Sequence, residues 1–150
     1  MYVAAKNGTL WALDEASGAV DWKYQFQAQA SPNYDPAPPL LGGDTLYFGD
    51  TDGQVFALDA AAGSPRWRAQ LSNGILRRPA VSGGRLYLGA TDGRLAALDS
   101  ASGQTLWTAA NPLRKSFPSD YTPPLDTEPV TVAGALYYFN GTEMVALSVP

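Results

Sequence analysis

Short apolar runs, cut by turns rich in glycine and Asx residues, set the pattern of this chain. Tyr2–Ala5 and Leu10–Leu13 are joined through Asn7-Gly8, and Ala19–Phe26 follows a second turn, Asp14–Gly18. Asn-Gly predicts a two-residue type I′ hairpin, because both residues tolerate positive φ. Turn signals fall roughly every ten residues, so no stretch is long enough for a helix although ALDEASGAV and ALDAAAG contain good helix formers.

The order of run, turn, run, turn, run then repeats. It is seen in Met1–Trp22 (MYVAAKNGTLWALDEASGAVDW), Leu46–Trp67 (LYFGDTDGQVFALDAAAGSPRW) and Leu86–Trp107 (LYLGATDGRLAALDSASGQTLW). A worn fourth copy, LYYFNGTEMVALS, covers Leu136–Ser148. Each later copy is preceded by one more candidate strand, at Pro39–Leu41, Pro79–Val81 and Glu128–Val132. A complete unit therefore holds four strands, A to D, and the chain holds 14. The Leu-Asp step at Leu13, Leu58 and Leu98 recurs at intervals of 45 and 40 residues, with 49 more to Leu147. Four short strands per unit of about 40–50 residues predict a β-propeller blade. The expected fold class is all-β: a partial β-propeller of about three and a half four-stranded antiparallel blades. The expected organisation is a single unit over residues 1–150, with blades near 1–26, 37–70, 77–109 and 127–150. Two connections, 27–36 and 109–126, are rich in Pro, Ser and Asx without periodicity and read as loops.

Ala12, Asp14, Gly18 and Trp22 fit the pattern A-x-D-x-x-x-G-x-x-x-W, as do Ala57, Asp59, Gly63 and Trp67, and Ala97, Asp99, Gly103 and Trp107. This resembles the tryptophan-docking motif of pyrroloquinoline-quinone-type propeller repeats. The residues carry a reason of their own: the Asp can accept backbone N–H groups of the turn, and the Gly permits its unusual φ. The Trp, on the outer strand, can lie between blades with its N–H on a carbonyl. The motif is read as structural glue that leaves the ligand unspecified. In the fourth copy Ser148 replaces the Asp, and Met1 falls in the column of Leu46, Leu86 and Leu136, as an internal core residue would. Family members form closed rings, commonly of about eight blades. The resemblance thus implies that the chain is part of a longer propeller, or else that two or more copies close a ring.

Composition narrows the chemistry. Of the 150 residues 45% are apolar and only 16% charged, with a net charge of −4, which disfavours nucleic acid or anionic lipid as main partner. The chain has no apolar run near the length of a membrane span and no signal-like segment. It has no Cys and no His, which removes disulfides, thiolate nucleophiles, Cys-based metal sites and Ser-His-Asp triads within it. Asp50 and Asp52 could suggest calcium, but a plain hairpin turn explains Asp52-Gly53 better. The glycosylation-like Asn7-Gly-Thr9 and Asn140-Gly-Thr142 are likewise read as turns.

One mixed set of side chains stands out. Tyr34, Asp35, Arg77, Arg78, Arg114, Lys115, Phe117, Asp120 and Tyr121 belong to the D-to-A connections, which a propeller places on one face with the B–C turns. They are candidate binding residues, set against the plain reading of a solvated loop. No catalytic, cofactor or metal residue is assigned. The resemblance implies a non-catalytic scaffold or protein-binding module, binding by strand addition or through the loop face. Such modules occur in bacterial envelope proteins, including the lipoprotein that assists outer-membrane β-barrel assembly, and as sensor domains on kinases; a periplasmic or extracellular setting follows by resemblance alone. The alternatives are a fragment of a quinone-dependent sugar or alcohol dehydrogenase, with pyrroloquinoline quinone and calcium, or a quinone-sensing domain. The adjacent Cys pair of the alcohol-oxidising members has no counterpart here.

Overall fold

The computed structural model describes residues 1–26, 37–71, 78–90, 94–110, 130–132, 135–139 and 144–148. Among them are fourteen strands: β1 (Tyr2–Ala5), β2 (Thr9–Leu13), β3 (Val20–Gln25), β4 (Leu40–Gly42), β5 (Thr45–Gly49), β6 (Gln54–Asp59), β7 (Pro65–Gln70), β8 (Ala80–Ser82), β9 (Arg85–Gly89), β10 (Arg94–Asp99), β11 (Thr105–Ala110), β12 (Val130–Val132), β13 (Ala135–Phe139) and β14 (Met144–Ser148). They form four antiparallel meanders in chain order: β1-β2-β3, β4-β5-β6-β7, β8-β9-β10-β11 and β12-β13-β14. No helix among the described residues is long and apolar enough to cross a membrane.

Two local readings are corrected. The first strands of the second and third sheets start one residue later than the apolar runs, at Leu40 and Ala80, because Pro39 and Pro79 have no N–H to give to a ladder. The hairpin between β1 and β2 is not a two-residue type I′ turn. Ala5 pairs with Thr9, leaving a three-residue loop, and Gly8 N donates to Ala5 O at 3.0 Å with Gly8 at φ +78°. Gly53 N donates likewise to Asp50 O at 3.2 Å. This is the hairpin class built of a turn plus one left-handed residue, so only the glycine needs positive φ. Asn7 serves by another route, its Oδ1 accepting Thr9 N at 3.1 Å.

The core lies between sheets. Strand β5 is buried at every position, and β6 at its four central ones, because each has a sheet on both sides. Leu46, Phe48, Phe56 and Leu58 face the first sheet and pack with Leu10 and Phe26. Phe48 and Phe56 stack at 4.9 Å, and Phe26 meets Phe48 edge-on at 5.1 Å. On the opposite face Tyr47, Val55 and Ala57 pack with Leu86, Leu88, Ala96 and Leu98 of the third sheet. Tyr87, Ala97 and Leu136 continue the series between the third and fourth sheets. Continuous apolar runs, in place of alternation, are what a strand buried on both faces requires.

Candidate functional site

The repeated Asp, Gly and Trp residues meet at the junctions between sheets. Ahead of each outermost strand, β3, β7 and β11, the aspartate closes the turn on itself. Asp59 Oδ1 accepts the N–H groups of Ala61 and Ala62 at 3.0 and 2.8 Å. Asp99 Oδ1 accepts Ala101 N at 3.1 Å, Ser102 N at 2.8 Å and Ser102 Oγ at 2.8 Å. Asp14 Oδ1 accepts Ser17 N at 2.8 Å and Ser17 Oγ at 2.6 Å. These bonds favour the ionised carboxylate. The Ser17 hydroxyl holds Asp14 below the usual carboxylate range, Ser102 does so for Asp99, and Arg66 leads for Asp59.

The closed turn is the seat for the tryptophan of the preceding sheet. Trp22 Nε1 donates to Ala60 O at 3.1 Å, and Trp67 Nε1 donates to Ser100 O at 3.0 Å. Gly63 and Gly103 lie directly beneath the two indoles: a Cβ on either would come within 2.5 Å of the ring of Trp22 or Trp67. Gly18, in the equivalent turn, has nothing within 4 Å of such a Cβ. Trp107 is half-buried beside Tyr87, with ring centroids 6.3 Å apart, at the junction with the fourth sheet.

Two sets of partners escaped the sequence reading. Tyr2 Oη donates to Ala60 O and Tyr47 Oη to Ser100 O, both at 3.0 Å. Each docking carbonyl therefore accepts one tyrosine and one tryptophan, and both of its lone pairs are used. The signal was present, since Tyr2, Tyr47, Tyr87 and Tyr137 follow the Met or Leu of the same column. The second set belongs to one blade. Arg66 binds Asp44 through two N–H···O bonds of 2.8 Å, reaches Asp59 Oδ2 at 2.8 Å and also donates to Thr45 Oγ1. No counterpart of Arg66 occurs at Asp21 or Leu106, so the repeat pattern gave no hint of it.

The Arg66 cluster makes stability depend on pH. Hydrogen bonds from Arg66, then Thr45, lower Asp44 from its ordinary 3.8 to about 2. A carboxylate depressed on folding contributes fully above its unfolded value and loses that contribution as pH falls through its folded one. The wild-type melting temperature is expected to fall between pH 4 and pH 2, and Arg66→Leu to flatten that fall. Parallel slopes for the two proteins in a thermal-melt series would refute the assignment.

Of the other candidates, Asp50 is buried, and its Oδ1 accepts Asp52 N at 3.0 Å and Gln54 N at 2.8 Å, a turn-closing role. Arg78 is half-buried two residues before β8. Tyr34, Asp35, Arg77, Arg114, Lys115, Phe117, Asp120, Tyr121, the Asp92-Gly93 turn and Asn140 lie outside the described residues. The chain leaves its outer strands beside the B–C turns, since Phe26 N donates to Gly8 O at 2.9 Å and Leu71 N to Gly53 O at 3.0 Å. Among the described residues no three His, Cys, Asp or Glu side chains cluster as metal ligands.

Antiparallel meanders stacked through a repeated tryptophan–turn contact define a partial β-propeller of pyrroloquinoline-quinone-type repeats. The chain belongs to the family described as outer membrane protein assembly factor BamB, which matches residues 6–149. It is 35% identical over 81 residues to outer membrane protein assembly factor BamB of Legionella pneumophila, covering 54% of this chain and 20% of that protein. The crystal structure of BamB from Moraxella catarrhalis is similar with a TM-score of 0.73 and 27% identity, over 98% of this chain and 42% of that one. The chain thus spans less than half the length of either relative. Quinohemoprotein alcohol dehydrogenase from Comamonas testosteroni shares the fold over 72% of this chain and 19% of its own, with a TM-score of 0.57 and 23% identity.

Proposed function

We propose that this chain is a single run of about three and a half blades in a non-catalytic propeller scaffold that binds protein partners during outer-membrane protein assembly, on the periplasmic side of the bacterial envelope. On this reading the blades lie near 1–26, 37–70, 77–109 and 127–150, and further blades of the same ring come from outside this chain. The observation that carries it is the family match over residues 6–149. The use made of the motif supports it: the repeated Asp, Gly and Trp atoms are engaged in turns and blade junctions, where they lend rigidity and offer no reactive group. Recognition then falls to the surface, and the D-to-A connections, which differ most between repeats in length and sequence, are the proposed binding segments.

A photoactivatable amino acid at Tyr34, Arg77 or Tyr121 of the protein in living bacteria tests this. The expected result is cross-linking at one or more of these positions to an envelope protein that takes part in outer-membrane assembly. The reading fails if all three positions give no protein adduct while pyrroloquinoline quinone with calcium produces a visible absorption band and alcohol- or sugar-dependent dye reduction.

A further inference from the structure

The first two junctions between sheets share one plan, but only the first is filled at its end beside the B–C turns. There Phe26 meets Phe48 edge-on at 5.1 Å and lies 5.8 Å from Phe56, while Phe48 and Phe56 stack at 4.9 Å. Arg68 closes this plug, its Cζ standing 5.4 Å from the centre of the Phe56 ring. The register gives each of these residues a counterpart at the second junction. Phe48 pairs with Phe56 as Leu88 pairs with Ala96, and Phe56 pairs with Arg68 as Ala96 pairs with Thr108. Leu71 takes the place of Phe26, its N–H bonded to Gly53 O as that of Phe26 is to Gly8 O. Phenyl rings thus give way to two leucines and an alanine, and the arginine cap to a threonine. The sheets do not close over the difference. Leu71, Leu88, Ala90 and Ala96 wall a pocket of about 30 Å³, with Arg94 and Thr108 exposed at its mouth. With that mouth included, the cleft measures about 300 Å³.

We propose that this pocket receives an aromatic side chain of a protein partner, one that stands beside a carboxylate in the partner's chain. This rests on the scaffold role proposed above and names the chemistry by which the partner is held. The pocket exceeds the roughly 10–15 Å³ that a single water needs, yet its walls are leucine and alanine side chains. It suits the end of one apolar side chain and is too small for a cofactor. The first junction shows which side chain this place in the fold accepts, since phenyl rings fill it there both edge-on and stacked. A ring inserted from outside would rebuild the same plug in trans, with apolar edge buried and the rest of the ring in the mouth. Arg94 adds the second half of the specificity. A guanidinium at the mouth favours the face of a ring and accepts a neighbouring carboxylate as its ionic partner. Leu71 also begins the connection from β7 to β8, so the pocket is continuous with a segment already proposed to bind.

Methyl-detected NMR of the intact protein is the test. The probe is a short peptide of serine and glycine carrying one phenylalanine–glutamate pair, beside a counterpart with alanine in place of the phenylalanine. The first peptide is expected to shift the methyl signals of Leu71, Leu88 and Ala96 saturably. Those of Leu46 and Leu58, at the filled first junction, are expected to stay in place. The alanine peptide is expected to bind about tenfold more weakly. Ala96→Phe copies Phe56, fills the pocket from within, and is expected to abolish the leucine shifts without lowering the thermal melt. Leu71→Phe, a copy of Phe26, serves if that variant fails to fold. Three results would overturn the proposal: equal shifts from both peptides, shifts that persist in the filled variants, or shifts that appear only once Ile75 and Leu76 are both changed to serine. The last would make the chain's own connection the occupant. Unshifted methyls alongside positive loop-face cross-linking would remove the pocket and leave the scaffold role standing.

Discussion

Gly63→Ala is expected to lower the unfolding free energy by about 3–5 kcal/mol, combining left-handed backbone strain with overpacking. Gly63 sits at φ +68°, and its new Cβ would lie 2.5 Å from Cδ2 and Cε3 of Trp22. The indole cannot retreat without breaking its bond to Ala60 O and opening the contact between the first and second sheets. Gly103→Ala, at φ +75° under Trp67, is expected to behave in the same way. The internal control is Gly18→Ala. Its φ of +72° imposes the same backbone strain, but the Cβ enters open space, so the expected cost is about 1 kcal/mol. Chemical denaturation of the three variants separates the two contributions. Equal losses at Gly18 and Gly63 would show that backbone conformation alone fixes the glycine and that the docked indole is not held firmly.

Trp67→Ala is the second large effect, at about 3–4 kcal/mol, the lower part of the range for truncating a buried aromatic because the ring is only half-buried. The loss removes packing against Val55, Ala57 and their partners and the bond to Ser100 O. A finer test separates ring from hydrogen bond. Trp67→Phe and Tyr47→Phe each remove one of the two donors on Ser100 O, and each is expected to cost about 1 kcal/mol. The double variant leaves that carbonyl with neither donor, so its cost is expected to exceed the sum by about 1 kcal/mol. Strict additivity in the cycle would mean that water replaces the lost donors and that the shared acceptor couples nothing.

Sequence alone determined what depends on local chemistry. Glycine and Asx turns at regular spacing, with β-rich runs between them, dictate short antiparallel strands, and the repetition of one unit dictates that the units stack alike. The apolar runs at Leu46–Phe48 and Leu86–Leu88 were legible only as strands; that both of their faces are covered is seen in the structure. The Asp of each repeat could be assigned to its own turn because donor and acceptor are only two or three residues apart. Tertiary structure decided which atoms join one repeat to the next, beyond the expectation that each tryptophan lies between blades. The carbonyls that receive Trp22 and Trp67 lie 38 and 33 residues away, on Ala60 and Ser100, and a backbone carbonyl has no signature in the amino-acid code. Gly63 and Gly103 looked like turn glycines, as Gly18 does; only the packed indole adds a second, steric demand at two of the three. Arg66 and Asp44 are 22 residues apart and occur in one blade, so no periodicity announced them. Local turns are encoded by neighbours in the chain, whereas blade docking is a property of surfaces that exist only after the strands have been folded together.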